Sequence, residues 1–188
     1  MSQAKTLTAQ ELEQVLSYIA TRKFALRNRL MLLTGYWSGM RVSEIASLCI
    51  RDITKPDGQV RAEVRLGADQ TKGHHARTVF ISQRLQEELQ QYINMRQPLS
   101  PDAPLFVTAT GRPFSANLLS QHFFWQFKRA GIEGASSHSM RRSFITNLAN
   151  KGIGVRVLAG LAGHRSIAVT QRYIDVNDDM LRRAVELA

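Results

Sequence analysis

The 188-residue sequence predicts a mainly α-helical domain with a small antiparallel β-sheet, an α+β fold. Three observations lead there. Apolar residues recur at helical spacing behind recognisable N-cap residues along most of the chain. One short region instead alternates apolar and polar residues with period two, and a turn-like polar stretch follows it. The length is enough for one substantial core, so residues 1–188 are expected to form a single domain.

The elements follow in order. Thr8 and Glu11 are spaced as a capping box, so a helix is expected from there to about Ala20. Phe24 to about Trp37 reads as a second helix, apolar enough to be largely buried. Gly39 interrupts it, and Val42–Leu48 should form a short third helix with Arg41 at its mouth. Val60–Leu66 alternates as a strand does. Thr71–His75 is a turn, and the β-branched and aromatic run Arg77–Ile81 completes a hairpin, with Lys72 at or just before its tip. Ile50–Ile53 is expected to add a short third strand.

Ser82 should cap a helix to about Arg96, and Gln97–Pro104, with Pro98, Pro101 and Pro104, is a loop or hinge. Gly111-Arg112-Pro113 marks a turn, and Ser115 should cap a helix that ends at Gly131. A helix is expected from near His138 to Gly152, and a short one over Val155–Leu161 that stops at Gly163. Ser166 should cap a helix carrying Tyr173. Asn177 should cap a last helix through Leu187, with Asp178 and Asp179 at its positive end.

Composition narrows the function. A hydrophobic content of 44 % excludes a disordered chain. Apolar runs such as Leu30–Leu33 are far too short to span a bilayer. Met1–Lys5 lacks the apolar stretch of a secretion signal. Cys49 is the one cysteine, which excludes an internal disulfide and a Cys-based zinc cluster and points to a reducing cytoplasm. The net charge is +10. Between Ala103 and Arg172 stand Arg112, Lys128, Arg129, Arg141, Arg142, Lys151, Arg156, Arg165 and Arg172 against the single acid Glu133. Such a surplus indicates a polyanionic partner, and the preference for Arg over Lys suits bidentate contact with phosphate.

The candidate chemistry is carried by six residues in a fixed order. Arg41 lies in Gly39-Met40-Arg41-Val42-Ser43-Glu44 and Lys72 in Thr71-Lys72-Gly73. His138 and Arg141, three apart, share a helix face. His164 follows Gly163, and Tyr173 comes nine residues later. His74 and Arg77 repeat the His-x-x-Arg spacing within the hairpin, where it reads as chance. A Tyr hydroxyl, with an unperturbed pKa of about 10, needs a proton acceptor or cationic neighbours before it can attack. Two Arg can clamp the non-bridging oxygens of a phosphodiester and stabilise the charge of the transition state. His can share a proton with the nucleophile, and Lys can protonate a leaving 5′-oxygen. No Asp, Glu and His stand near these residues at metal-ligand spacing, so neither a metal nor a cofactor is expected, and the cations take the part of Mg²⁺.

In these motifs, and in His138-Ser139-Met140-Arg141-Arg142-Ser143-Phe144 and Gly163-His164-Arg165-Ser166-Ile167-Ala168-Val169-Thr170-Gln171-Arg172-Tyr173, the chain resembles the catalytic domain of the tyrosine recombinases, the phage integrase family, over nearly its whole length. The resemblance implies that family's catalytic-domain fold and site-specific DNA strand exchange. It implies Tyr173 as the nucleophile forming a 3′-phosphotyrosyl bond, Arg41 and Arg141 as phosphate ligands, Lys72 as general acid, and His138 and His164 as proton carriers. Glu44 would orient Arg41. It also implies double-stranded DNA as partner, a homo-tetramer on two DNA sites that passes through a Holliday junction, and a place in the cytoplasm at the nucleoid. Accessory DNA-bending proteins stay open. Helix Asp178–Leu187 would dock on a neighbouring subunit through Leu181, Ala184, Val185 and Leu187, or pack on its own domain.

Two other function classes remain at this point: a type IB topoisomerase that nicks and reseals, and a DNA-binding regulator that does not cut. The aromatic residues of the basic helix after Ser115 (Phe123, Phe124, Trp125) are expected in the core rather than against bases. The chain departs from the family in one respect. Only Met1–Leu7 precede the first helix, and the usual N-terminal core-binding domain is absent from the sequence. A natural short recombinase, an excised domain and a degenerate remnant compete to explain that departure, and the complete set of six active-site residues speaks against decay. With half the clamp missing, DNA binding is expected to be weak and to fall steeply with salt. A salt titration of duplex binding checks this, and nanomolar, salt-insensitive binding contradicts it.

Overall fold

The computed structural model describes residues 4–98, 100–174 and 178–186. Among these residues the chain forms helices around one hydrophobic core, with a two-stranded antiparallel sheet at one side. Helix α1 (Ala9–Ala20) starts at the expected capping box: the Glu11 amide donates to Thr8 Oγ1 at 3.1 Å, and the Thr8 amide donates to the Glu11 carboxylate at 3.0 Å. Helix α2 (Ala25–Ser38) is the centre of the molecule, with Leu30, Met31, Leu32 and Leu33 all at 0 % exposure. None of its residues is fully exposed, because α1, α5 (Gln83–Arg96) and α7 (Ser137–Asn150) all pack against it.

Helices α2 and α7 approach each other closely. A Cβ at Gly35 would lie 3.1 Å from Met140 Sδ, and one at Gly39 would lie 2.5 Å from the Phe144 ring. Gly39 also has φ +66, the left-handed region that ends a helix and that residues with a Cβ avoid. The turn it makes leads directly into α3 (Val42–Ser47), with Arg41 at its N-cap.

Residues Ile50–Ile53 form a helical turn, α4, and not the expected strand. The physical reason is Asp52, whose carboxylate accepts the Cys49 amide at 2.8 Å and so caps a helical turn that the β-favouring isoleucines alone do not suggest. The sheet therefore holds two strands, β1 (Glu63–Leu66) and β2 (Arg77–Phe80), paired from Glu63 with Phe80 to Leu66 with Arg77. Val60, expected inside the strand, makes an isolated bridge to Thr54 instead.

Helix α6 (Ala116–Arg129) begins as expected, with Ser115 Oγ accepting the Leu118 amide at 3.2 Å. Ser82 and Ser166 hold the N-cap positions of their helices but make no side-chain capping bond. Helix α8 (Val155–Ala162) ends at Gly163, which takes φ +61. Helix α9 (Ile167–Gln171) is shorter than expected and stops before Tyr173. There the amides of Tyr173 and Ile174 reach back only three residues, to Thr170 and Gln171, and the helix closes as a tight turn. Helix α10 (Asp178–Val185) leaves Leu181 56 % and Val185 73 % exposed, with Ala184 exposed beside them. The expected cap Asn177 and the expected end Leu187 lie outside the described residues. Among the described residues no helix is long and apolar enough to cross a membrane.

Gly39→Ala combines a left-handed backbone with a steric clash against Phe144. It is expected to destabilise the fold by about 2 kcal/mol or more, read as a lower urea midpoint; an unchanged midpoint would show that the α2–α7 contact is loose.

Candidate active site

The site lies where the end of α2, the start of α3, β2, α7 and the end of α8 meet. Its centre is Glu44, 0 % exposed in the first turn of α3. Oε1 accepts Arg41 Nη1 at 2.9 Å and Arg77 Nε at 3.0 Å. Oε2 accepts the Arg41 backbone amide and Arg77 Nη2, both at 2.7 Å. Burial by itself would raise the Glu44 pKa; hydrogen bonding to Arg77, its charge, and the bonds and charge from Arg41 outweigh burial and hold the carboxyl below its usual value.

Arg141 enters from α7 and is 5 % exposed. Its Nη1 donates to Gly39 O at 2.7 Å and its Nη2 to Ala162 O at 2.5 Å. These carbonyls end α2 and α8, so each helix directs its negative C-terminal pole at the guanidinium. No carboxylate bonds Arg141 among the described residues. Burial first, then the neighbouring Arg41 and Arg77, lower its pKa to about 9. The group stays protonated at neutral pH and lacks an anion. Three guanidinium groups against one carboxylate leave the cluster with two uncompensated positive charges.

The end of α8 adds the imidazole. Arg41 Nη2 reaches Gly163 O at 3.3 Å, and His164 follows in the turn. His164 Nδ1 shares a hydrogen bond with Thr170 Oγ1 at 2.9 Å, and Thr170 is 0 % exposed. Among the described residues no protein group bonds Nε2, so that nitrogen is open to the site. Burial, then Arg141, Arg41 and Arg77, push the His164 pKa down to about 4, which keeps the ring neutral and able to accept a proton. The Tyr173 ring stacks on His164 with centroids 5.6 Å apart and planes at 23°. Thr146 Oγ1 donates to Tyr173 O at 3.0 Å, and the Arg142 guanidinium lies 5.6 Å from the Tyr173 ring.

The fold thus brings together Arg41, Glu44, Arg141, His164 and Tyr173. It does not place Lys72 or His138 in contact with them. Lys72 is exposed in the 67–76 connection, in a turn closed by Thr71 Oγ1 donating to His75 O at 2.7 Å. His138 is exposed in the first turn of α7, one turn before Arg141 on the same face. Among the described residues neither side chain has a hydrogen bond or ion pair to the cluster. Two contributors escape a sequence reading. Arg77 belongs to the His-x-x-Arg spacing that reads as chance, and its one signal is a cation at the first position of a strand. Thr170 lies inside the Gly163–Tyr173 motif, but nothing in its residue type marks it as the partner of His164. In α6, Phe123 is buried as expected, but Phe124 and Trp125 are each 47 % exposed, with Lys128 Nζ 5.2 Å from the Trp125 ring. Among the described residues no three His, Cys, Asp or Glu side chains are grouped to hold a metal ion.

The model of the phage integrase family matches residues 5–180. The chain belongs to that family. Among other integrase-family proteins, it is 34 % identical to the tyrosine recombinase XerA of Pyrococcus furiosus, over 98 % of this chain and 62 % of XerA. The fold matches the crystal structure of XerA recombinase with a TM-score of 0.78 at 23 % identity, covering 100 % of this chain and 66 % of that one. It also matches the XerH site-specific recombinase in a post-cleavage complex with its palindromic difH substrate, with a TM-score of 0.73 at 25 % identity, over 96 % of this chain and 51 % of XerH. The mainly helical fold expected from the resemblance is therefore shown. The chain spans less than two thirds of the length of the curated relatives it matches first.

The depressed pKa of His164 has a measurable consequence, shared by His122, whose ring burial and the charges of Arg27 and Arg129 also lower to about 4. Between about pH 6.5 and 4 the unfolded chain takes up protons at these positions and the folded chain does not, so their contribution to stability is complete above 6.5 and declines as pH falls through that window. In an NMR titration both imidazoles are expected to remain neutral at pH 5; protonation of His164 near pH 6.5 would mean that the cluster is open to water.

Proposed function

We propose that this chain carries the catalytic centre of a site-specific DNA recombinase that cuts and rejoins strands through a 3′-phosphotyrosyl intermediate. The observation that carries the reading is Arg141: a buried guanidinium bonded only to carbonyl oxygens, beside Arg41 and within reach of the stacked His164–Tyr173 pair. Such a cation lacks an anion, and a scissile phosphate supplies one. XerA and XerH are recombinases by name, and XerH is bound to DNA.

In this reading Tyr173 Oη attacks phosphorus, and its proton passes to a neighbouring base, a role that the stacked, neutral His164 ring supports. Arg41 and Arg141 hold the non-bridging oxygens. As the P–O5′ bond breaks, Lys72 on the exposed hairpin connection protonates the leaving 5′-oxygen. His138, one turn before Arg141, joins the proton traffic once DNA fills the site. Glu44 keeps Arg41 in place. Attack by a 5′-hydroxyl of a partner strand reverses the step, expels Tyr173 and restores the phosphodiester, so no ATP is needed. Exchange through a Holliday junction then requires four subunits on two duplexes, joined through helix α10, whose exposed Leu181, Ala184 and Val185 suit a neighbouring subunit. The protein would work at the nucleoid, with accessory DNA-bending proteins as further partners.

Incubation with supercoiled DNA carrying the native flanking locus, followed by a denaturing gel, tests the reading. Wild type is expected to form a covalent protein–DNA adduct and Tyr173→Phe none. An adduct that persists in Tyr173→Phe would overturn the assignment of the nucleophile. Adducts without Holliday junctions would favour nicking and resealing.

A further inference from the structure

We propose that Arg77 is a positioning residue that sets the phosphate clamp by holding Glu44, and through it Arg41, against the end of α8. The inference rests on the strand-cleavage reading above. Arg77 is the first residue of β2, and its side chain is 10 % exposed. Its Nε and Nη2 form a fork on Glu44 at 3.0 and 2.7 Å, and Nη1 donates to Leu161 O at 3.0 Å. One guanidinium thereby joins three segments: the strand that follows the Lys72 connection, the helix that starts at Arg41, and the helix end that presents His164.

The acceptor side is equally complete. Each Glu44 oxygen takes one bond from Arg77 and one from Arg41. With Arg77 in place, Glu44 has no further lone pair to draw on Arg41, whose remaining N–H groups make no bond among the described residues. Without the fork, a buried carboxylate would be half satisfied, and the Arg41 guanidinium is the nearest donor that can turn to it. That turn takes Arg41 away from a phosphate. Lys cannot replace the fork, because an ammonium is a point charge and lacks paired parallel donors.

Gly163 supports the same arrangement. A Cβ there would lie 2.5 Å from Arg77 Cδ, so the chain before His164 closes directly on the Arg77 stem. The backbone of Gly163 also accepts Arg41 Nη2, which brings the two arginines to one short segment. Arg77 adds charge as well, being among the cations that keep the His164 ring neutral.

The test compares wild type with Arg77→Lys, Glu44→Gln and the double variant, all as the full chain and all checked for native circular dichroism. Single-turnover adduct formation on DNA of the native locus is read beside DNA affinity at fixed salt. Arg77→Lys is expected to lower the adduct rate by about 10- to 100-fold, the size of effect that a misplacement of about 1 Å produces, while affinity changes by less than about threefold. In the Glu44→Gln background the same substitution is expected to lose most of that effect, since Arg77 acts through Glu44. Arg77→Lys with a wild-type rate, or equal effects in both backgrounds, would overturn the proposal. A second readout needs no cleavage: the ¹⁵N guanidinium signals of Arg41. They are expected to shift and exchange faster in Arg77→Lys. Unchanged signals would overturn the proposal, whereas a wild-type protein that forms no adduct counts only against the strand-cleavage reading.

Discussion

A carboxylate without solvent contact governs the centre of this protein. Moving an ionised Glu out of water is unfavourable by several kcal/mol, and the structure offsets that with four hydrogen bonds from two arginines. The constraint runs outward from there. Arg41 must sit at the mouth of α3, which requires the sharp turn at Gly39. Arg77 must start β2, which ties the hairpin to α3. The end of α8 must bring Leu161 and Gly163 to the two guanidinium groups. The positions of three segments remote in sequence follow from satisfying one acid.

Arg141 makes the opposite use of burial. Glu44 is fully paired and electrostatically quiet, whereas Arg141 has only peptide dipoles to face and retains its need for an anion. The same low-dielectric setting that depresses its pKa increases what it would gain from a phosphate oxygen. A folded core of α2 and α7 makes this affordable: the packing of Met140 and Phe144 on the glycines of α2 holds the backbone that carries Arg141. Stability of the core and charge at the site are thereby linked through one helix face.

Much of this was legible in the sequence because it is written in local rules. The Thr8–Glu11 box, the Ser115 cap, the period-two strand and the glycines at 39 and 163 each act within a few residues. Arg41, Glu44, Arg141, His164 and Tyr173 stood out because their order and spacing match a family pattern, and the fold brings them together. The failures have both local and tertiary causes. The turn at Ile50–Ile53 depends on one Asp52 capping bond that overrides β propensity. Tyr173 lies past the end of α9, since the amides there turn back after three residues. Arg77 and Thr170 are chosen by partners 33 and 6 residues away, and neither residue's type or spacing announces its role. Phe124 and Trp125 show that an aromatic run on a helix divides between core and surface according to what faces it.

In the proposed reaction Arg41 and Arg141 supply charge to the phosphoryl group while a separate side chain, Lys72, serves the leaving oxygen. A substrate with sulfur in place of the bridging 5′-oxygen separates these roles, because a thiolate leaves without being protonated. Single-turnover cleavage of that substrate should bring Lys72→Ala to within about tenfold of wild type and leave Arg141→Ala slow, since charge stabilisation is needed whichever atom leaves. Rescue of Arg141→Ala by sulfur, or no response from Lys72→Ala, would contradict the division of labour.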